Sequence, residues 1–378
     1  MTKQDTHLAL LPSGFVDLLP PEAGQEAWAI TILMEHFAAF GYERIKPPLA
    51  EFEDSLLAPG PGASLAHETF RLMDPVSHRM LGVRSDITPQ IARIASSRLA
   101  SAPRPLRLSY ANDVLRTKGS QQRTERQFCQ VGCELIGAEG AEAEIEICML
   151  ALLGLHDLGL KNVTIDLTIP GLVSALLIES GFDGKKMAGA QAAVDARARD
   201  AIAKIGGLAG KSLSALLESA GEASAALKNL SAVKLPAALR GDIENLRAVH
   251  EGLARGMKQA GLEDFAVTID PLESRGFEYH RSIGFTLFAK SVRGELGRGG
   301  RYDVRFGVAK KGECAAGFTL YMDTIRKALP PQKKKQIVRV PAGESWAAIR
   351  TMQEKGKIVI RDTAARSKKK TKKPGRKK

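Results

Sequence analysis

Residues 104–137, RPLRLSYANDVLRTKGSQQRTERQFCQVGCELIG, read as two β-strands joined by a long cationic loop. Strict alternation along the second strand puts Phe128, Gln130, Gly132, Glu134 and Ile136 on one face and Cys129, Val131, Cys133 and Leu135 on the other. The second face is apolar and belongs against a core. The first carries an amide and a carboxylate on one sheet surface, and such groups cost free energy on a half-buried sheet unless a ligand or a fixed partner satisfies them. The loop holds Arg116, Lys118, Arg123 and Arg126 against Glu125, a local charge of +3 that suits a phosphate or a carboxylate. A solvated hairpin tip beside structural sheet polars accounts for the same pattern, so the residues alone leave both readings open.

Around this hairpin stand 378 residues, enough for about two or three domains and an ample core. The net charge is +13, but Arg366 to Lys378 supply nine cations and no acid, which leaves the body at +4. A nucleic-acid surface therefore does not follow from the charge. No run of about 18 apolar residues occurs, and the start lacks the pattern of a signal peptide, so the expectation is a cytoplasmic protein. Cys129, Cys133, Cys148 and Cys314 form no CxxC pair and have no histidine at ligand spacing; reduced, buried thiols are expected, with no metal.

Residues 10–22 are rich in Pro and Gly and read as an ordered lead-in. From Gln25 to Phe40 apolar residues recur at three and four, predicting an amphipathic helix that Gly41 ends. YERIKPPLAEF (42–52) enters a strand that two prolines confine to an edge. Residues 69–83 predict a hairpin turning at Asp74-Pro75, which delivers the chain to Asp86 and Thr88. These two are candidates both for gripping an ammonium group and for capping the helix of PQIARIASSRL. Glu142, Glu144 and Glu146 open an apolar helix, where acids favour the positive end of the dipole, so they are read as structural. Residues 170–265 are rich in Ala, Leu, Gly and Lys and predict a helical insertion domain between the first part of the core (1–169) and its second part (266–331). A short strand-helix-strand stub (332–365) and a disordered lysine-rich tail (366–378) follow.

Three segments carry a resemblance, and a fourth supports it. ERQFCQVGCELIG (125–137) is similar to the second signature motif of class II aminoacyl-tRNA synthetases in its histidyl-tRNA synthetase form; VRSDITPQIAR (83–93) and RGFEY (275–279) resemble that family's two histidine-binding segments, and Gly299 to Asp303 resemble its GGRYD. The match covers most of residues 10–330 and implies an α+β fold, a class II aminoacyl-tRNA synthetase-like antiparallel sheet flanked by helices. The helix and strand near residue 42 are similar to the family's first motif, which implies a homodimer. By position Asp86 and Thr88 match the residues that hold the α-amino group of histidine, although the family more often has Glu where Asp86 stands. The resemblance also implies that Arg275 lies over the carboxylate and that Tyr279 helps enclose the ring. The expected histidine site comprises Asp86, Thr88 and Gln130 for the ammonium, Arg275 for the carboxylate and Glu134 with Tyr279 for the ring N–H groups, with Arg116 counted beside them.

The ATP-binding pattern of the synthetases is broken. Arg116-Thr117-Lys118 puts a cation where their Arg-x-Glu has its acid, and AAGFTLYMDTIRK has Thr324 in place of the arginine that packs on ATP and Tyr321 in place of a glycine, with Arg326 two residues away. The stub is too short for an anticodon-binding domain of about 100 residues. A synthetase body with this histidine pocket, a damaged ATP site and no full anticodon domain resembles the regulatory-subunit family of ATP phosphoribosyltransferase. That resemblance implies no catalysis by this chain and no cofactor. It implies a short-form catalytic subunit as partner in the first step of histidine biosynthesis, activation of that partner, feedback inhibition by free histidine, and neither a membrane nor tRNA as partner. A truncated, functional histidyl-tRNA synthetase and a synthetase-like RNA-binding or interaction protein are the alternatives.

Overall fold

Both faces of the hairpin find cover. The computed structural model describes residues 10–58, 61–120, 123–274, 276, 280–304, 312–331 and 335–362. Helix α1 (Glu22–Ala39) leads, burying Ala29, Leu33 and Phe37. Phe40 follows it, and Gly41 reverses the chain at φ 80. The chain next runs through β1 (Glu43–Arg44), β2 (Ala50–Phe52), the single turn α2 (Glu53–Leu56), β3 (Phe70–Met73) and β4 (Met80–Val83). Strands β2, β4 and β3 make a small separate sheet. Helix α3 (Thr88–Ser96) then precedes the hairpin itself, β5 (Leu106–Leu115) and β6 (Gln127–Ile136).

Behind the hairpin come α4 (Ala141–Asp157) and β7 (Val163–Thr168), and after them the helical segment: α5 (Leu172–Glu179), α6 (Gly184–Asp195), α7 (Arg199–Ile205), α8 (Gly207–Ser219), the two-residue strand β8 (Gly221–Glu222), α9 (Ala223–Leu230) and α10 (Arg240–Gln259). Strands β9 (Ala266–Ile269), β10 (His280–Ala289), β11 (Gly297–Val304) and β12 (Glu313–Tyr321) and helix α11 (Met322–Ala328) complete this unit, which ends at Leu329. From Pro330 a second unit holds β13 (Ile337–Val340), α12 (Trp346–Glu354) and β14 (Ile358–Arg361), its two strands paired in parallel.

The main sheet has nine strands in the order β1-β5-β6-β12-β11-β10-β7-β9-β8. Its centre, from β5 to β7, is antiparallel throughout, while β1 pairs with β5 and β9 with β7 in parallel, so the sheet is mixed at its margins. The predicted alternation of β6 holds residue by residue. Cys129, Val131, Cys133 and Leu135 join the large core shared with α1, α4 and the helical segment, while Phe128 and Ile136 join a second cluster with Ile87 and Ile91 around α3. The helical segment buries Leu172, Leu176, Leu213 and Leu246 in that same large core. Among the described residues no helix is long and apolar enough to cross a membrane.

Candidate functional site

Between α3 and the centre of the sheet lies a cavity of about 550 Å³. Its floor exists because two strands there carry glycine. A Cβ on Gly317 of β12 would collide with the Glu134 carboxylate, and one on Gly132 of β6 would collide with the Tyr110 ring. Register explains the choice: Gly317 pairs with Glu134 and Gly132 with Tyr110, so each glycine makes room for the large polar side chain beside it.

Glu134 is the focus. It is only 2% exposed, accepts a hydrogen bond from the Tyr302 hydroxyl at 2.8 Å on Oε2, and accepts another from the Thr88 hydroxyl at 3.3 Å on Oε1. Burial pushes its carboxyl up to about 8, an effect that the Asp86 charge reinforces and that the hydroxyls of Tyr302, Thr88 and Tyr110 oppose. At neutral pH the unliganded group is therefore largely protonated, and a cation entering the cavity would favour its ionisation.

Asp86 stands at the start of α3. Its Oδ1 accepts from the Thr88 amide at 2.9 Å, satisfying a helix N-terminal donor, and its Oδ2 accepts from Gln130 Nε2 at 2.8 Å. The N-cap position itself is Ile87, with no side-chain cap, so neither Asp86 nor Thr88 is the N-cap; Asp86 reaches the first helical amide from one residue outside it. Gln130 is fully buried and also accepts from the Ile87 amide at 3.1 Å, so both ends of its amide are engaged. It holds Asp86 from behind rather than lining the cavity. Arg116 does line it, held by an ion pair to Glu68 at 3.4 Å and lying 4.0 Å from Asp86.

The far end of the cavity is cationic and aromatic. Arg123 donates to Asp323 Oδ2 at 2.9 Å while its guanidinium lies 3.7 Å from the centre of the Tyr321 ring and 4.6 Å from that of Phe128. Arg298 donates to Glu295 Oε2 at 2.9 Å and to the Gly276 carbonyl at 3.2 Å. His280 closes this wall; burial, reinforced by the Arg298 charge, pushes its imidazole down to about 3, so it is neutral.

Four of the seven residues expected from the sequence, Asp86, Thr88, Arg116 and Glu134, line one cavity, and Gln130 backs it. Arg275 and Tyr279 lie outside the described residues. Sequence reasoning missed Tyr302 and Tyr110 as site residues. The signal for Tyr302 was its place in GGRYD; for Tyr110 it was the alternation of β5, which sets its side chain opposite Gly132. The residues of the broken ATP pattern also have defined places. Lys118 is exposed, Tyr321 walls the cavity, Thr324 is buried, and Arg326 faces Glu26 and Glu125 at 3.9 and 3.8 Å.

Comparison with known proteins follows the same line. The histidyl-tRNA synthetase family matches residues 14–325. A protein of Paramagnetospirillum magneticum named ATP phosphoribosyltransferase regulatory subunit is 45% identical over 357 residues, covering 94% of this chain and 91% of the relative. Its namesake in Rhodospirillum centenum is 48% identical over 349 residues, covering 92% and 88%. Among solved structures, an ATP phosphoribosyltransferase regulatory subunit/histidyl-tRNA synthetase from Bacillus halodurans superposes with a TM-score of 0.77 at 22% identity, covering 94% of this chain and 92% of that one, a likeness of fold.

Proposed function

Because this chain belongs to the ATP phosphoribosyltransferase regulatory subunits, a histidyl-tRNA synthetase-like family, we propose that its cavity binds free histidine and that occupancy governs a separate catalytic subunit. The chain is a regulatory rather than a catalytic component of that enzyme. The observation that carries the histidine reading is the buried Glu134, fixed by Tyr302 and Thr88 within reach of the Asp86 carboxylate. Asp86 and the Thr88 hydroxyl suit an ammonium, Glu134 suits an imidazole N–H, and Arg275 is assigned the carboxylate on the strength of its motif. Feedback requires histidine to favour one of two arrangements of the complex, with a coupling of about 1–3 kcal/mol.

The direct test is phosphoribosyl-ATP formation by the short-form catalytic subunit of the same organism, with and without this chain, across a histidine titration. Stimulation by the chain, reversed by histidine, is the expected result. A competent catalytic subunit that responds to neither would overturn the reading.

A homodimer belongs to the same proposal. Phe40, just before the edge strand β1, and Leu49 and Phe52, just before and at the end of β2 in the small sheet, are 46%, 54% and 36% exposed, and a second copy would cover them. Leu49→Asp should shift the mass measured by light scattering from that of two chains to that of one. A wild-type protein that elutes as a single chain would remove this element of the proposal.

A further inference from the structure

The helical segment grips the rest of the unit through two groups of polar contacts, one on each side of a cavity wall. Before the wall, Arg197, in the turn between α6 and α7, reaches Asp270 at 2.6 Å and Glu273 at 3.5 Å. Gln191 of α6 donates to Ser274 Oγ at 3.2 Å, and the Glu273 carbonyl is held by the Thr168 hydroxyl at 2.5 Å. After the wall, Asn245 of α10 donates to Ser282 Oγ at 2.9 Å and to Glu144 Oε2 at 2.8 Å. Between these grips the chain passes Gly276 and His280, both of which line the cavity.

The backbone marks the same two places. Arg197 and Ser282 are non-glycine residues at φ 52 and 58, a conformation that persists where surrounding contacts enforce it. Ser282 also lies where the pairing of β10 with β11 slips between Arg281 and Gly284. Hydrogen bonds weaken steeply once their geometry is lost, and packed elements move between discrete arrangements rather than deforming continuously, so contacts of this kind respond to small movements.

We propose that the helical segment is the output element of the cavity: through Gln191, Arg197 and Asn245 it holds the chain on both sides of Gly276 and His280, coupling the helices to ligand in the cavity. This rests on reading the cavity as a histidine site. None of the three residues lines the cavity, so they are positioning residues, and thermodynamic reciprocity supplies the test. If occupancy is felt by the helices, cutting a grip must change affinity.

The experiment uses the full chain with L-histidine as probe, combining calorimetry with hydrogen exchange of peptides from residues 184–199 and 240–259. In the wild type, histidine should slow exchange in both stretches. Arg197→Ala and Asn245→Ala should each weaken histidine binding by about 5-fold or more and abolish the protection of the stretch whose grip is cut, with melting transitions that remain cooperative. Arg197→Lys, which keeps the charge, should recover part of both effects. Should Arg197→Ala fail to fold, Gln191→Ala cuts the same grip at a neutral contact and carries the same expectation. Wild-type binding of histidine without protection of either stretch, or variants that bind and protect as the wild type does, would overturn the inference while leaving the histidine site standing. No binding by the wild type would overturn both.

Discussion

Glu134→Gln should weaken histidine binding at least about tenfold, some 1.5 kcal/mol or more, because it removes a charge-assisted contact to the ring. The same change should stabilise the unliganded protein at alkaline pH, and the opposite signs make the test specific. In an unfolded chain a glutamate titrates near pH ~4.3, whereas burial raises Glu134 to about 8 in the folded state. The folded protein therefore retains a proton that the unfolded chain has already released. Stability contributed by this group is fully present below the unfolded value and is lost as pH rises through the folded one. Glutamine keeps an oxygen that can accept from Tyr302 and carries no charge at any pH. Urea unfolding should accordingly place the variant close to wild type at pH 5 and above it by a few kcal/mol at pH 9. Equal histidine affinity in the two proteins would show that the ring does not meet Glu134. Parallel pH–stability curves would show that the carboxyl is not buried in the way its surroundings imply.

How far this site can be read from sequence depends on the range of the interaction. The face of every residue in β6 follows from alternation, because a strand period of two leaves no slack, and Glu134 and the apolar cysteines fall where the pattern sends them. The bond from the Asp86 carboxylate to the amide two residues on is local as well, although the N-cap position falls on Ile87. Tyr302 is 168 positions from Glu134 and reaches it only after β12 has paired between their strands, a step that no local pattern encodes. Composition announced the helices of residues 170–265 but gave no sign that Gln191, Arg197 and Asn245 reach the strands on either side of the cavity wall. Glu144 shows the limit most directly. It sits in the first turn of α4, as a dipole-stabilising acid should, yet it is buried and paired with Arg301, 157 positions away.

That pair sets the second large effect. Arg301→Ala should cost about 3–5 kcal/mol of stability, because it strips a buried carboxylate of its cation. The guanidinium donates to Glu144 Oε1 at 3.0 Å, to the Ala138 carbonyl at 3.2 Å and to the Gly140 carbonyl at 2.7 Å, so one side chain fastens β11 to the start of α4. In the alanine variant Glu144, 2% exposed, would keep only Asn245, a neutral donor. Replacing both partners by apolar residues, Arg301→Met with Glu144→Leu, should recover much of the loss, since no charge is then left unpaired. A single variant as stable as wild type in urea would mean that water reaches the pair. Arg301 and Tyr302 point to opposite faces of β11, one toward α4 and the other toward Glu134. The double variant therefore leaves the face of β11 that carries Tyr302 toward Glu134 unaltered. The coupling of histidine to exchange in residues 240–259 is different, because Asn245 loses Glu144 and retains only Ser282. By reciprocity affinity should weaken together with the protection of that stretch, though by less than in Asn245→Ala, which loses Ser282 as well; unchanged affinity beside weakened protection would contradict the coupling.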